Sequence, residues 1–316
     1  MPSILSSFRD FLRFVREMQR LQTEDLGAIR RAIEALDRRL PSGPDTAALA
    51  EKRGADARRE HAAAEFAIDQ LAALSPRYRD PRCLNQVSGQ VFSQNNEDGI
   101  LAEIFARIGV GSRTFIEIAA GEGVENNTRL LLQLGWTGLW IEGGAAEAAS
   151  IRSNLAGEIA EGKLRFLEAR VDAQNVAELV AANGPAEPDL LSLDIDYNTS
   201  HVWAALADLK PRVVCIEYNA HYPAGVDWEI AYRPDGEWAG TTRFGASLKA
   251  LERIGRAQGY CLVGCDIFGV NAFFVRADLC DDRRFLAPFT AEQHHEPPRF
   301  DWVHMRGHAR HAPGEG

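Results

Sequence analysis

Seven short apolar runs, most of them separated by segments of helical character, constrain the fold of this chain more than any other feature. Each run has the length of a strand that is buried on both faces. Strands of this kind that alternate with helices form a mostly parallel sheet covered by helices on both sides. The runs are Thr114 to Ala119, Gly138 to Glu142, Leu164 to Ala169, Leu190 to Asp194, Arg212 to Tyr218, Tyr260 to Cys265 and Asn271 to Arg276.

Only the segment DIFGV separates the last two runs. It is too short for the crossover that joins two parallel strands, so these runs are predicted to pair as an antiparallel hairpin. The predicted fold class is therefore α/β: a doubly wound, seven-stranded, mostly parallel sheet with an antiparallel edge hairpin, preceded by an α-helical N-terminal segment.

The first forty residues carry apolar side chains at alternating steps of three and four, between Phe8 and Leu40. This pattern is a short heptad stripe, and an isolated helix with so narrow an apolar seam is marginal in water. The stripe predicts either an oligomerisation helix or a helix packed on its own domain. We predict a coiled-coil-like segment over residues 1–80 that forms a homo-oligomer, the main domain over 81–290, and a noncatalytic His/Pro-rich tail over 291–316.

Composition excludes several classes of function. The chain has 316 residues, of which 46% are apolar and 25% charged, as expected for a soluble globular protein. Its net charge of −10 at pH 7 disfavours nucleic acid as a partner. It contains no apolar run of membrane-spanning length and no secretory signal, which predicts a cytoplasmic location. Its five cysteines form no C-x-x-C pair, which disfavours a zinc cluster.

Polar or acidic side chains lie at the carboxyl ends of five consecutive predicted strands. In doubly wound sheets, ligands bind beyond these ends, so the set predicts a ligand site. The residues are Glu117, Glu142, Asp172, Asp194, Asp196, Glu217, Asn219 and His221.

The stretch TFIEIAAGEGVENNT, residues 114–128, places a small-residue turn directly after the first strand. Glycine lets a backbone turn sharply and approach a ligand closely. Asn126 and the residues after it are suited to cap the next helix. Further along, Glu142 is placed to accept hydrogen bonds from ribose hydroxyls. Asp172 is suited to the exocyclic amine of adenine.

Two cofactor classes fit a nucleoside on such a sheet. A dinucleotide site expects G-x-G-x-x-G, but Asn126 stands where the third glycine belongs, and Glu122 and Glu125 lie near the expected pyrophosphate. S-adenosylmethionine carries no phosphate and has a sulfonium and an ammonium group. An acid-lined pocket therefore favours S-adenosylmethionine.

The sequence resembles a known family at these positions. FIEIAAGEG resembles the E-x-G-x-G-x-G motif of class I S-adenosylmethionine-dependent methyltransferases, with Ala119 where the first glycine usually stands. The longer set SQNNEDGIL, NNTRLLLQLGWTGLWIEG, SLDIDYN, IEYNAHYP and FGASLKAL is similar to the FkbM-like branch, whose members methylate hydroxyls of sugars and other small molecules. The resemblance extends from about Val91 to Leu279.

The resemblance implies roles for individual residues. Glu117, Gly121 and Gly123 would line the methionine moiety of the cofactor, and Ala119 and Asn126 would belong to the same cofactor-binding set. Glu142 would bind the ribose, Asp172 the adenine, and Asp194 the edge of the methyl-transfer site. Gln94 either reaches the cofactor or belongs to a segment that only caps a helix through Ser93 or Asn95.

Transfer of a methyl group to a hydroxyl requires removal of a proton, for which two routes are open. In one, His221 acts as general base beside Asp194. In the other, Asp194, Asp196, Glu217 and His221 hold a divalent cation, Mg²⁺ or Mn²⁺, that lowers the pKa of the hydroxyl. The segment 221–245, which carries Tyr222, Trp228, Tyr232 and Trp238, either stacks on a sugar or packs as a lid.

The expected function is S-adenosylmethionine-dependent O-methyl transfer to a sugar, glycan or related polyhydroxylated small molecule. A noncatalytic scaffold that retains the fold and a nicotinamide-dependent oxidoreductase are the alternatives. The sequence leaves open which acceptor and which hydroxyl are used.

Overall fold

The computed structural model describes residues 67–68, 70–87 and 89–299. The heptad stripe and the last part of the predicted tail, residues 300–316, lie outside the described residues. All elements named below belong to one compact unit, whose described part begins at Ala72.

The predicted seven-stranded sheet is confirmed. Its order is β3-β2-β1-β4-β5-β7-β6, with β1 to β5 parallel and β7 antiparallel to both β5 and β6. The strands are β1 Thr114–Ile118, β2 Thr137–Glu142, β3 Leu164–Glu168, β4 Leu190–Leu193, β5 Val213–Glu217, β6 Tyr260–Cys265 and β7 Asn271–Arg276.

Helices cover both faces of the sheet. The α-helices are α1 Glu97–Ile108, α2 Arg129–Gln133, α3 Ala145–Asn154, α4 Ala156–Ala160, α5 Val176–Asn183, α6 Thr199–Ala205, α7 Leu248–Ala257 and α8 Ala291–His294. Three short 3₁₀ helices span Pro76–Tyr78, Leu84–Gln86 and Ala277–Leu279. Within the described residues, none of these helices combines the length and the apolar character that crossing a membrane would need.

Alternation along the central strands creates two hydrophobic cores. Successive side chains of a strand point to opposite faces, so Ile116 and Ile118 join the core beneath α5, α6 and α7. Phe115 joins the other core, together with apolar residues of α1 and α2. Because both faces are covered, β1 and β4 are buried along almost their whole length.

The order of the strands positions the site. From β1 the chain adds β2 and β3 on one side and then returns to place β4 on the other side. The connections after β1 and after β4 therefore diverge at the carboxyl edge and leave a crevice between them. Of the polar strand ends predicted from the sequence, Glu117 and Asp194 line this crevice.

The segment before α1 forms a compact cap. Asp98 Oδ2 accepts hydrogen bonds from the backbone N–H groups of Val91, Phe92 and Ser93, at 2.7 to 2.8 Å. In return, Ser93 Oγ accepts from the Asp98 N–H at 3.0 Å. Ser93 thus binds an amide in the first turn of α1, although the N-cap position itself is Asn96, and Gln94 and Asn95 lie beside the crevice.

The edge hairpin brings another polar residue to the same place. Buried Asp266 accepts backbone hydrogen bonds from Phe268, Val270 and Asn271, which fixes the turn between β6 and β7. Since β7 runs antiparallel to β5, its first residue, Asn271, pairs with Glu217 at the carboxyl end of β5. β7 thus begins at the edge of the sheet where β5 ends.

The described part of the predicted tail, residues 291–299, packs against the domain. Glu296 is 2% exposed and accepts a hydrogen bond from the Tyr78 hydroxyl at 2.7 Å. It also pairs with Arg299 at 2.8 Å. His294 is buried, and burial lowers its pKa to about 4, so this imidazole stays neutral at physiological pH.

Side-chain contacts hold the segment 221–245 at both of its ends. Asn219 donates to the carbonyl oxygens of Thr242 and Phe244, each at 2.9 Å. The predicted stacking aromatics meet other rings of the chain. Tyr222 stacks on Trp228 with ring centroids 4.3 Å apart, and Tyr232 lies edge-on to His201. These contacts agree with packing as a lid.

Candidate functional site

A cavity of about 430 Å³ lies at the carboxyl ends of β1 and β4. This volume is in the range that small-molecule sites occupy in proteins. The lining comes from the cap before α1, the loop after β1, the end of β4 and the start of β7. The lining residues are Gln94, Asn95, Glu97, Glu117, Ile118, Ala119, Ala120, Gly121, Glu122, Val124, Glu125, Asn126, Asn127, Ser192, Asp194 and Asn271.

Most of the predicted cofactor residues therefore meet at one cavity. Gln94, Glu117, Ala119, Gly121, Asn126 and Asp194 all line it. Gly123, Glu142 and Asp172 do not line it.

The loop after β1 is held in an unusual backbone conformation. Ala119, Gly121 and Gly123 have φ angles of 62°, 54° and 77°. A side chain at Gly121 would meet no atom within 4 Å, so the backbone there is open to a ligand. A side chain at Gly123 would instead approach Ile151 and Trp140 at 3.1 and 3.2 Å. Gly121 thus permits a close approach to the backbone, and Gly123 permits packing against α3 and β2.

Glu117 lies at the end of β1 and is 5% exposed. Its carboxylate accepts hydrogen bonds from the backbone N–H of Asn127 at 3.0 Å and from the backbone and hydroxyl of Thr128. Burial raises the pKa of Glu117 to about 7, although these hydrogen bonds act in the opposite direction. A cation in the cavity would favour the ionised form of this carboxyl.

Glu142 connects the loops that follow β1 and β2. Its Oε2 accepts from the Gly121 N–H, and its Oε1 accepts from the Gly144 N–H, both at 2.7 Å. The carboxylate therefore contacts the open turn at Gly121 but points at the backbone rather than into the cavity.

Asp172 has a capping role in the described structure. Its Oδ1 accepts from the N–H groups of Gln174 and Asn175, at 2.7 and 3.0 Å. These contacts lie just before α5, so they account for one carboxylate oxygen without a ligand.

The cavity lining is acidic. It contains five acids and no lysine, arginine or histidine; the acids are Glu97, Glu117, Glu122, Glu125 and Asp194. Burial raises the pKa values of Glu97, Glu117 and Asp194, so these three ionise most readily when a cationic ligand is present. The lining therefore suits a cationic ligand better than a phosphate group.

Glu97, Asn95 and Asn271 form one end of the cavity. None of the three was predicted as a site residue from the sequence. Glu97 is completely buried and accepts from Asn271 Nδ2 at 2.8 Å and from the Asn95 N–H at 2.7 Å. Burial raises the pKa of Glu97 above its usual range. An acid directly before the apolar run of α1 and an asparagine in an apolar strand were the available signals, because such residues are rarely buried without a partner.

Three acids at the ends of β4 and β5 come together. Asp194, Asp196 and Glu217 each offer an oxygen atom, and these atoms lie within 4.8 Å of one another. Burial and neighbouring Asp196 raise the pKa of Asp194. Burial and neighbouring Asp194 raise the pKa of Glu217 well above its usual range. Two such carboxyl groups retain a proton between them unless a cation replaces it.

His221 lies outside this group of three acids. Its backbone N–H donates to Asn219 Oδ1 at 3.2 Å, at the start of the segment 221–245. Among the predicted metal ligands, the structure therefore brings together the carboxylates but not the imidazole.

Comparisons with known proteins give structural likeness only. No protein-family model and no curated protein matches the sequence. Among similar solved structures is an O-methyltransferase family protein from Burkholderia thailandensis, with 14% identity over 57% of each chain and a TM-score of 0.35. Another is magnesium protoporphyrin IX methyltransferase from Synechocystis PCC 6803 with bound SAM, with 14% identity over 67% of this chain and 96% of that chain, and a TM-score of 0.36.

A third is the glycopeptide N-methyltransferase MtfA complexed with S-adenosylhomocysteine, with 17% identity over 67% of this chain and 97% of that chain, and a TM-score of 0.36. The names of two of these neighbours specify different acceptor atoms, oxygen in one and nitrogen in the other. With TM-scores this low, we base the function on the strand order and the cavity instead.

Proposed function

We propose that this chain is an S-adenosylmethionine-dependent methyltransferase. The observation that carries the proposal is the acid-lined cavity at the strand-order reversal, beside a backbone that is open at Gly121. S-adenosylmethionine has two cationic groups and no phosphate, so its charge complements this lining. A dinucleotide would place its pyrophosphate beside Glu122 and Glu125, which disfavours a nicotinamide cofactor.

Each of four residues near the strand ends is assigned to one part of the cofactor. Gly121 allows close approach of the nucleoside, and Glu142, which already contacts that turn, would accept hydrogen bonds from the ribose hydroxyls. Glu117 would favour the cationic sulfur through its ionised form. Asp172 would reach the adenine with its second carboxylate oxygen.

The finer proposal is O-methyl transfer to a sugar or another polyhydroxylated small molecule. The acceptor oxygen attacks the methyl carbon, the carbon–sulfur bond breaks, and the sulfonium becomes a neutral thioether. The hydroxyl proton passes to a base. In-line placement of the two reacting atoms can account for several kcal/mol of the barrier, up to about 7–11 in ideal cases.

Two groups of residues support removal of that proton. Asp194 lines the cavity and, with Asp196 and Glu217, would hold Mg²⁺ or Mn²⁺, which would lower the pKa of a bound hydroxyl. Alternatively, His221 acts as the base at the start of the segment 221–245. The closeness of the three acids favours the cation route.

Calorimetric titration with S-adenosylhomocysteine and with NAD⁺ tests the cofactor. We expect heat only with S-adenosylhomocysteine. Heat with NAD⁺ alone would support an oxidoreductase, and no heat with either ligand would support a noncatalytic scaffold.

The acceptor is tested by mass spectrometry of nucleotide sugars and glycans incubated with the protein and S-adenosylmethionine. We expect a mass gain of one methyl group in a hydroxyl-bearing compound. A gain that persists with a chelator would exclude the cation route and leave His221 as the base.

A further inference from the structure

The acidic cavity leaves one part of S-adenosylmethionine without a partner. The methionine end of this cofactor carries a carboxylate as well as an ammonium group. A carboxylate among the five acids of the lining would be repelled, and no basic side chain belongs to that lining. A cation just behind the cavity wall would offset this repulsion.

Arg129 occupies such a position. It begins α2, and its backbone N–H donates to the carbonyl of the lining residue Asn126 at 3.3 Å. Its guanidinium lies over the Phe92 ring, 5.7 Å from the centroid. Phe92 stands two residues before Gln94, which also lines the cavity. Arg129 thus contacts two chain segments that line the cavity, one through its backbone and the other through its guanidinium.

Arg129 is also unusual in its partners. Five arginines lie over aromatic rings in the described part of the chain, and four of them also pair with a carboxylate. The four pairs are Arg77 with Glu296, Arg107 with Glu103, Arg152 with Glu168, and Arg233 with Asp235.

The guanidinium of Arg129 has no such pair among the described residues, and its Nη1 atom is buried without a hydrogen-bond acceptor. A buried, unpaired donor on a charged group costs free energy. An incoming carboxylate would remove that cost.

We propose that Arg129 binds the carboxylate of the methionine moiety. This inference rests on the proposed function and names a residue of the same site. A guanidinium presents parallel N–H donors that match the two oxygens of a carboxylate. Its flexible stem lets it turn from the Phe92 ring towards the cavity, while Phe92 limits the positions it can adopt.

The test compares two ligands that differ only in this group: S-adenosylhomocysteine and its decarboxylated analogue, which keeps the amine. Calorimetry would measure both with the wild-type protein and with Arg129→Ala. We expect the substitution to weaken S-adenosylhomocysteine about 10- to 100-fold, the usual effect of losing a charge-assisted hydrogen bond. Binding of the analogue should change less than about twofold, since it makes no contact with the guanidinium.

Two further variants make the result specific. Arg129→Gln keeps much of the side chain over Phe92 and serves if Arg129→Ala fails to fold; it should show the same preference. Arg152→Ala removes another arginine from a ring, Phe166, away from the cavity lining, and should leave both affinities unchanged.

Equal losses for both ligands, or no loss for either, would show that Arg129 only packs on Phe92 and would overturn the inference. In both of those outcomes the wild-type protein still binds S-adenosylhomocysteine, so the proposed function survives. A wild-type protein that does not bind S-adenosylhomocysteine would overturn the proposed function and this inference together.

Discussion

The carboxylate of Glu142, at the end of β2, accepts a hydrogen bond from the backbone amide of Gly121 at 2.7 Å. The same side chain accepts from Gly144 at 2.7 Å with its other oxygen. One carboxylate therefore fixes the loops after two adjacent strands, and it does so beside the open turn where we place the nucleoside. Stability and cofactor affinity should both depend on it.

Glu142→Gln should weaken both properties. Glutamine offers only one oxygen acceptor, so one of the two glycine amides loses its partner. We expect the free energy of unfolding to fall by about 1 kcal/mol and the affinity for S-adenosylhomocysteine to fall about tenfold. Urea denaturation and calorimetry measure the two effects.

Glu168→Gln is the matched control for that substitution. Glu168 pairs with Glu142 in the register of β2 and β3, but its carboxylate contacts the exposed Arg152 at 2.6 Å. Exposed ion pairs contribute little, so neither property should change appreciably. An equal loss in both variants would show that Glu142 has no special part in holding the loops.

Ala119→Gly should stabilise the protein. Ala119 has a φ of 62°, a left-handed conformation that costs a residue with a β-carbon about 1–2 kcal/mol. Glycine removes that cost but loses more entropy on folding, so we expect a net gain of up to about 1 kcal/mol in thermal or urea unfolding.

Ala120→Gly is the control for Ala119→Gly and should have the opposite effect on stability. Ala120 is 3% exposed and is not among the residues with a positive φ, so its substitution removes a buried methyl group without relieving strain. It should destabilise the protein by about 1 kcal/mol. If both substitutions destabilise alike, the backbone at Ala119 carries no strain.

The sheet was predictable because its determinants are local. Each strand is a short apolar run, and the five-residue connection between β6 and β7 permits only a hairpin. The residues at the strand ends were predictable for the same reason, since parallel strands bring their carboxyl ends to one edge. Glu117 and Asp194 thus meet at the cavity although they lie 77 positions apart in the sequence.

What the sequence did not reveal depends on tertiary contacts. Asn271 reaches the cavity because β7 runs antiparallel to β5, and there its side chain donates to Glu97, which is 174 positions away in the sequence. Asp172 matched a nucleoside-binding pattern, but an acid before a helix also satisfies free amide groups, as it does here before α5. Motif spacing does not distinguish these two uses.

The pKa of Glu117 predicts a pH-dependent stability. Burial raises this pKa from 4.5 to about 7, so the folded state holds the proton more tightly than the unfolded state. The resulting stability is complete below pH 4.5 and is lost as pH rises through 7. The full loss is about 3 kcal/mol.

Glu117→Gln should remove this dependence. Urea denaturation at pH 5 and at pH 8 would give the free energy of unfolding for both proteins. We expect the wild-type protein to lose about 2.5 kcal/mol relative to the variant over this interval, because part of the full loss is already complete at pH 5. A difference between the two proteins that is the same at both pH values would show that Glu117 is ionised throughout.

The three acids at the ends of β4 and β5 predict a response to Mn²⁺. Asp194, Asp196 and Glu217 place their oxygens within 4.8 Å of one another, and oxygen atoms suit this cation. A ligand that binds only the folded state stabilises it by mass action, so we expect Mn²⁺ to raise the thermal unfolding midpoint of the wild-type protein by a few degrees. Asp196→Asn should abolish the increase.

Asp235→Asn, which removes an acid on the exposed segment 221–245, should retain it and so controls for the loss of one negative charge. The histidines at 304, 308 and 311 are present in all three proteins, so Mn²⁺ bound there would raise the three midpoints alike. That outcome, or no increase in any of them, would remove the cation route and leave His221 as the proposed base.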